Sequence, residues 1–176
     1  MTIEHDESSD GAGHSGERLH DIVSTRLFDA PPARVFDAWT IPELLIRWWA
    51  PAGCSTPVCR VNLRPGGVFH YCMRLPDERD IWGMGTYREI AAPNRLVYVD
   101  SFADSGGRPV PPSHYGMSAE HPAETLVTVT FEAWAQGTKL TLRHGIPEAV
   151  QEHEASAQGW TEMLDRLAGV LADADA

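Results

Sequence analysis

The sequence predicts an α+β fold in which a curved antiparallel sheet wraps around a long C-terminal helix, with two short helices after the first strand. Three observations predict it. Residues 56–144 break into strand-like runs separated by turn residues at the spacing of a meander. Residues 147–172 carry one apolar stripe at helical spacing. A strand and two proline-led helical turns precede both. Six or seven antiparallel strands would leave one concave face bare, and the C-terminal helix is the one element large enough to cover it.

The first 17 residues carry Glu4, Asp6, Glu7, Asp10 and Glu17 among serines and glycines. They cannot bury enough surface to offset ordering entropy, so 1–17 is expected to be a disordered acidic tail and 18–174 a single domain. Alternation then sets in, with Ile22, Ser24, Arg26 and Phe28 on one face and Val23, Thr25 and Leu27 on the other. Asp29-Ala30-Pro31-Pro32 ends this strand. Proline suits the first turn of a helix, and Val35, Phe36 and Trp39 recur at helical spacing over 32–40. Pro42 opens a second helical turn carrying Leu44, Leu45, Trp48 and Trp49, which Pro51 and Gly53 terminate.

Strands are expected over 56–64, 67–75, 80–90, 95–102, 124–134 and 138–144. The connections Pro65-Gly66-Gly67, Pro76-Asp77-Glu78 and Gln136-Gly137 are short enough for hairpins, whereas 103–123 is a long, proline-rich, irregular insertion. In the final helix Val150, His153, Ala157, Trp160, Leu164, Leu167 and Leu171 share one stripe. Gly159 weakens that helix by roughly 1 kcal/mol relative to alanine.

Composition excludes several function classes. A chain of 176 residues supports one well-buried core. The net charge is −11, the sole lysine is Lys139 and the arginines are dispersed, which argues against nucleic acid or an anionic membrane as partner. No apolar run approaches the roughly 18 residues of a membrane span and no charged-then-apolar leader opens the chain, so a cytoplasmic location is expected. Cys54, Cys59 and Cys72 are odd in number and lack the second pair of a zinc ribbon. No metal and no cofactor is expected.

A sheet closed by a helix leaves a space between them, and an apolar space of that kind is the candidate ligand site. Phe69, Tyr71 and Met73 share one strand face and read as inward, against Val68, His70, Cys72 and Arg74. Trp82 and Met84 lie opposite Gly83 and Gly85, a glycine pair that reads as a bend. Tyr98, Asp100 and Phe102 alternate with Val97, Val99 and Ser101, and both faces are partly apolar, so the inward set stays open. Trp48 and Trp49 either anchor their short helix or place an indole at the cavity mouth. The candidate lining set is Trp48, Phe69, Tyr71, Met73, Trp82, Tyr98, Phe102, His144, His153, Trp160 and Leu164. His144 and His153 are the candidate general bases, but no serine or carboxylate stands at motif spacing and no nucleophile elbow is present. Cys72 is a strand thiol without a local cation, an inert setting.

Ala30-Pro31-Pro32-Ala33-Arg34-Val35-Phe36-Asp37-Ala38-Trp39-Thr40, Pro42-Glu43-Leu44-Leu45 and Arg47-Trp48-Trp49-Ala50-Pro51 resemble the opening of proteins similar to the activator of Hsp90 ATPase, within the START/Bet v 1-like superfamily. Leu63-Arg64-Pro65-Gly66-Gly67, Gly85-Thr86-Tyr87-Arg88-Glu89-Ile90, Val127-Thr128-Val129-Thr130-Phe131-Glu132, Thr138-Lys139-Leu140-Thr141-Leu142 and the segment from Gly159-Trp160 to Leu164 follow in family order. Asn62 departs from the pattern, standing where many relatives carry an acid. The resemblance implies the helix-grip fold and a cavity for a small hydrophobic molecule. Its members include lipid and polyketide carriers, sequestering proteins, cyclases and chaperone regulators, so it does not choose among them. The expected function is binding or sequestering a small hydrophobic ligand without catalysis. The alternatives are a cyclase or hydrolase acting on a polyketide-like substrate through His144 or His153 with Tyr98 or Asp100, and a chaperone-regulating interaction module. A homodimer through the outer sheet face or the insertion is a further expectation.

Overall fold

The computed structural model describes residues 21–173; the acidic tail expected over 1–17 lies outside them. Strand β1 (Ile22–Phe28) is followed by helices α1 (Pro32–Thr40) and α2 (Pro42–Leu45). Six strands follow: β2 (Ser55–Val61), β3 (Val68–Arg74), β4 (Asp80–Ala91), β5 (Arg95–Ala103), β6 (Glu124–Trp134) and β7 (Gly137–His144). Helix α3 (His153–Asp173) is the last described element. All seven strands form one antiparallel sheet in the order β1-β7-β6-β5-β4-β3-β2. The meander is continuous from β2 to β7, and β1 closes onto β7 from Ile22 opposite His144 to Phe28 opposite Thr138. The fold is the helix-grip arrangement the sequence predicts.

Local chemistry explains the short helices. Pro32 starts α1 where a missing N–H costs nothing, and Pro42 forces Ile41 into an extended conformation (φ −94°, ψ 117°) that separates α1 from α2. The two turns deliver Trp39, Trp48 and Trp49 to a single aromatic hub. Trp39 lies 4.8 Å from Trp48, 5.6 Å from Trp49 and 6.0 Å from Trp160 of α3 between ring centroids. Arg166 of α3 binds the carbonyls of Ala50 and Cys54 at 2.6 and 3.2 Å, tying the loop after α2 to the helix.

Three details differ from the sequence expectation. Helix α3 begins at His153, six residues later than expected at 147, because Pro147 to Glu152 turn tightly, with Val150 N–H bonded to the Pro147 carbonyl and His153 N–H to that of Val150. A bulge between Tyr87 and Glu89 inserts an extra residue into β4, so Tyr87 and Ile90 both take inner-face partners, Tyr98 and Leu96, although they are three apart. The insertion 103–123 is also more ordered than its composition suggests. It holds a 3₁₀ turn at Pro112–Tyr115, and the Tyr115 hydroxyl donates to the Ala103 carbonyl and accepts from the Trp82 N–H. Further along, Ser118 donates its N–H and its hydroxyl to the Glu152 carboxylate, at 2.6 and 2.7 Å, clasping the insertion to the start of α3.

Candidate cleft between sheet and helix

The strand register puts Tyr71, Gly83 and Phe102 in one row across the inner face, Phe69, Gly85, Asp100 and Thr125 in the next, and Tyr87, Tyr98, Val127 and His144 in a third. The glycine pair explains how these rows interact. A Cβ on Gly83 would stand 2.4 Å from the Tyr71 hydroxyl and ring, and one on Gly85 would stand 1.9 Å from the Phe69 ring. Real Cβ atoms do not approach that closely. The bare stretch of β4 is therefore a seat for two aromatic rings from β3, not only a point of curvature. Lying over it, the Tyr71 hydroxyl reaches across β4 and donates to Asp100 of β5 at 3.4 Å.

Above these rows lies an open cleft of about 470 Å3. Tyr71, Met73, Tyr98, Asp100 and His144 line it from the sheet, Trp49 and Pro51 from the loop after α2, Leu75 from the turn after β3, Met117 from the insertion, and Glu152, Ala155, Ser156, Gly159, Trp160 and Met163 from the helix side. Asp100, His144 and Ser156 also border a smaller chamber of about 120 Å3 that continues to Phe102, His121 and Thr125. The volume falls within the range of roughly 300–1,000 Å3 usual for small-molecule sites.

His144 is 6% exposed and both of its ring nitrogens are engaged. The indole N–H of Trp160 donates to Nδ1 at 3.0 Å, and Trp has no acceptor to offer, so the ring proton sits on Nε2. Nε2 donates to the Thr125 hydroxyl at 2.8 Å. Burial lowers the pKa of this imidazole to about 4, with the neighbouring His121 adding to the effect, so the ring is neutral at physiological pH. Asp100 responds in the opposite sense. Burial against the aromatic wall raises its carboxyl to about 7, and the Tyr71 hydrogen bond only partly offsets this. The phenols of Tyr71 and Tyr98 are pushed well above their ordinary value, first by burial and then by the Asp100 charge, and stay protonated. Asp100 Oδ2 lies 3.9 Å from His144 Nε2, outside hydrogen-bond distance.

Of the residues singled out from sequence, Tyr71, Met73, Tyr98, His144 and Trp160 line the cleft and Phe102 lines the adjoining chamber. The open choice on β5 falls to the Tyr98, Asp100 and Phe102 set. Phe69 is buried below the cleft, 5.3 Å from Trp49 and 5.0 Å from Tyr98. Trp48 is fully buried and donates to the Ala38 carbonyl, so it anchors the helices, while its neighbour Trp49 reaches the cleft. Trp82 does not join the site. It pairs with Cys72 and stacks on His70 at 4.9 Å, on the outer face of the sheet. His153 donates to the Ile146 carbonyl and borders a separate polar groove beside β1, and Leu164 is core. Cys72 is buried, and its thiol is pushed up to about 11 by burial and the nearby Asp80, an unreactive state.

Sequence reasoning missed the helix wall. Ala155, Ser156, Gly159 and Met163 follow from Glu152 at i+3, i+4, i+7 and i+11, a second stripe beside the apolar one. Its small side chains leave the room that the cleft occupies. That run of small residues next to Trp160 was the available signal.

A curved seven-stranded sheet holding a C-terminal helix over a lined cleft defines the helix-grip class, the fold of the START/Bet v 1-like superfamily. The family model described as Activator of Hsp90 ATPase homolog 1-like protein matches residues 29–172, and the chain belongs to that family. Solved structures agree. A protein of Nitrosomonas europaea is 25% identical with a TM-score of 0.72, covering 89% of this chain and 96% of its own. One from Chromobacterium violaceum is 26% identical with a TM-score of 0.69, covering 87% and 97%. A third, from Staphylococcus epidermidis, is 25% identical with a TM-score of 0.67, covering 98% and 94%. No curated protein matches. Among the described residues no helix is long and apolar enough to cross a membrane.

Proposed function

We propose that this protein binds or sequesters a small, mainly apolar molecule in the cleft between sheet and α3. The observation that carries the reading is the cleft itself: about 470 Å3, walled by Trp49, Tyr71, Tyr98, Trp160, Met73 and Met163. Aromatic and thioether surfaces supply apolar contact, and a few polar atoms orient what binds. Incubating the purified protein with lipid and aromatic-metabolite extracts, followed by native mass spectrometry, tests it. A retained species of defined mass is expected, and no retention from several unrelated extracts overturns the reading.

Turnover by a cyclase or hydrolase chemistry finds less support. A histidine general base needs a free nitrogen within reach of substrate, whereas the two nitrogens of His144 are held by Trp160 and Thr125 and its basicity is low. His153 is outside the cleft. Chaperone contact draws on the family description alone. On the outer face of β1 and β7 the exposed Val23 and Leu27 stand opposite Arg143 and Lys139, a mixed rather than apolar surface.

A further inference from the structure

We propose that the cleft selects an apolar ligand bearing a protonated amine, with the amine received by Asp100 and the apolar body held among Trp49, Tyr71, Tyr98 and Trp160. This rests on the reading of the cleft as a binding site for an apolar molecule.

The polar lining is one-sided. Among the described residues no lysine or arginine lines the cleft, and its carboxylates are Asp100 at depth and Glu152 at the rim. The groups facing Asp100 supply no fixed positive charge: Tyr71 from β3 and Tyr98 from its own strand are protonated phenols, and His144 from β7 is held neutral. Thr125 from β6 is a hydroxyl that binds His144. His121 of the insertion borders the chamber on the far side and turns Nδ1 to the Pro122 carbonyl. Glu152 is clasped by Ser118.

Asp100 itself is under-used. A carboxylate offers about four acceptor sites, and among the described residues this one receives a single long bond, from Tyr71 at 3.4 Å. A neutral ligand leaves that deficit in place and an anionic ligand worsens it. An ammonium group removes it with a charge-assisted hydrogen bond, and the surrounding indole and phenol faces attract a cation in addition. Because burial holds the Asp100 carboxyl near 7, an arriving ammonium favours its ionised form and binding releases a proton.

Three probes sharing a naphthyl body separate the outcomes by isothermal titration calorimetry on the full chain: 2-(2-naphthyl)ethylamine, 2-(2-naphthyl)ethanol and the 2-naphthylacetate anion. At about pH 7.5 the amine is expected to bind at least about tenfold more tightly than the alcohol, with the carboxylate weakest. Asp100→Asn, which removes no packing atom, is expected to bring the amine down to the affinity of the alcohol while the alcohol changes by less than about threefold. Proton release, read from the dependence of the heat on buffer ionisation enthalpy, disappears in the same variant. Alcohol binding with no preference for the amine, or a preference that survives Asp100→Asn, overturns the amine assignment and leaves the apolar-ligand reading standing. Failure of all three probes to bind overturns both.

Discussion

The indole N–H of Trp160 donates to Nδ1 of His144 at 3.0 Å, and this bond sets the tautomer of the ring that faces the cleft. With Nδ1 accepting, Nε2 carries the proton and donates to Thr125. Trp160→Phe keeps an aromatic ring in the hub but leaves a buried imidazole nitrogen without its donor. The cost is expected to be about 1–3 kcal/mol, read from urea unfolding midpoints. A change under about 0.5 kcal/mol would show that the bond contributes nothing net.

The same environment predicts a pH signature. The folded imidazole titrates near 4 and an unfolded one near 6.5, so in that window the unfolded chain takes up a proton that the folded one refuses. The stability from this group is complete above the unfolded value and is lost as pH falls towards 4. NMR of the His144 ring should show no titration between about pH 5.5 and 8, and a midpoint near 6.5 would refute the assigned tautomer and burial.

Asp100 works in the opposite direction. Its folded value, about 7, lies above the unfolded one, so its favourable contribution is present at low pH and is lost as pH rises through 7. Asp100→Asn should therefore stabilise the protein at about pH 8, on the order of 2–4 kcal/mol after allowance for the quarter of the side chain that reaches the cleft. The gain should shrink towards zero near pH 4. Thermal unfolding of both proteins across this range measures it, and a gain independent of pH would mean that charge burial is not its source. A carboxyl kept where an amide would be more stable is what a ligand-contacting group looks like energetically.

Gly83 and Gly85 should differ in a predictable way. Gly85→Ala pushes into Phe69, which is 3% exposed and hemmed in by Trp49, Tyr71, Tyr87 and Tyr98, so the ring has nowhere to go. A loss of more than about 2 kcal/mol is expected. Gly83→Ala meets Tyr71, whose ring borders open cleft, so the stability loss is smaller and the cleft changes shape instead. Chemical denaturation ranks the two, and a larger loss for Gly83→Ala would contradict the ring-seat account.

The fold was legible in the sequence because it rests on signals that burial enforces. Alternation in β1, the prolines opening α1 and α2, and the stripe through Trp160, Leu164 and Leu167 place these elements to within a few residues, except at the start of α3. The cleft was legible only in part. Trp82 reads as lining because it is large and apolar, but the β3–β4 hairpin pairs Arg74 with Asp80 and so sets odd-numbered residues of both strands on the inner face up to the bulge. Once Tyr71 is placed inward, that register sends Trp82 outward. Asp100 could not be placed by alternation, since Val97 and Val99 make the other face of β5 equally apolar. The ring seat at Gly83 and Gly85 is a contact between strands, which no pattern within one strand encodes.

Gly159 separates stability from function most directly. It sits inside α3, where alanine would favour the helix by up to about 1 kcal/mol, and a Cβ built there meets nothing within 4 Å, since Gly159 borders the open cleft. Gly159→Ala is therefore expected to raise stability by roughly 0.5–1 kcal/mol with little change in ligand binding. Gly159→Leu extends a side chain into the space between Trp160 and the sheet, and should abolish or strongly weaken probe binding while the protein stays folded. Circular dichroism melts and the naphthyl titrations, run on both variants, test the pair. A Gly159→Leu protein that is folded and binds the probes at full affinity would show that they occupy some other part of the molecule.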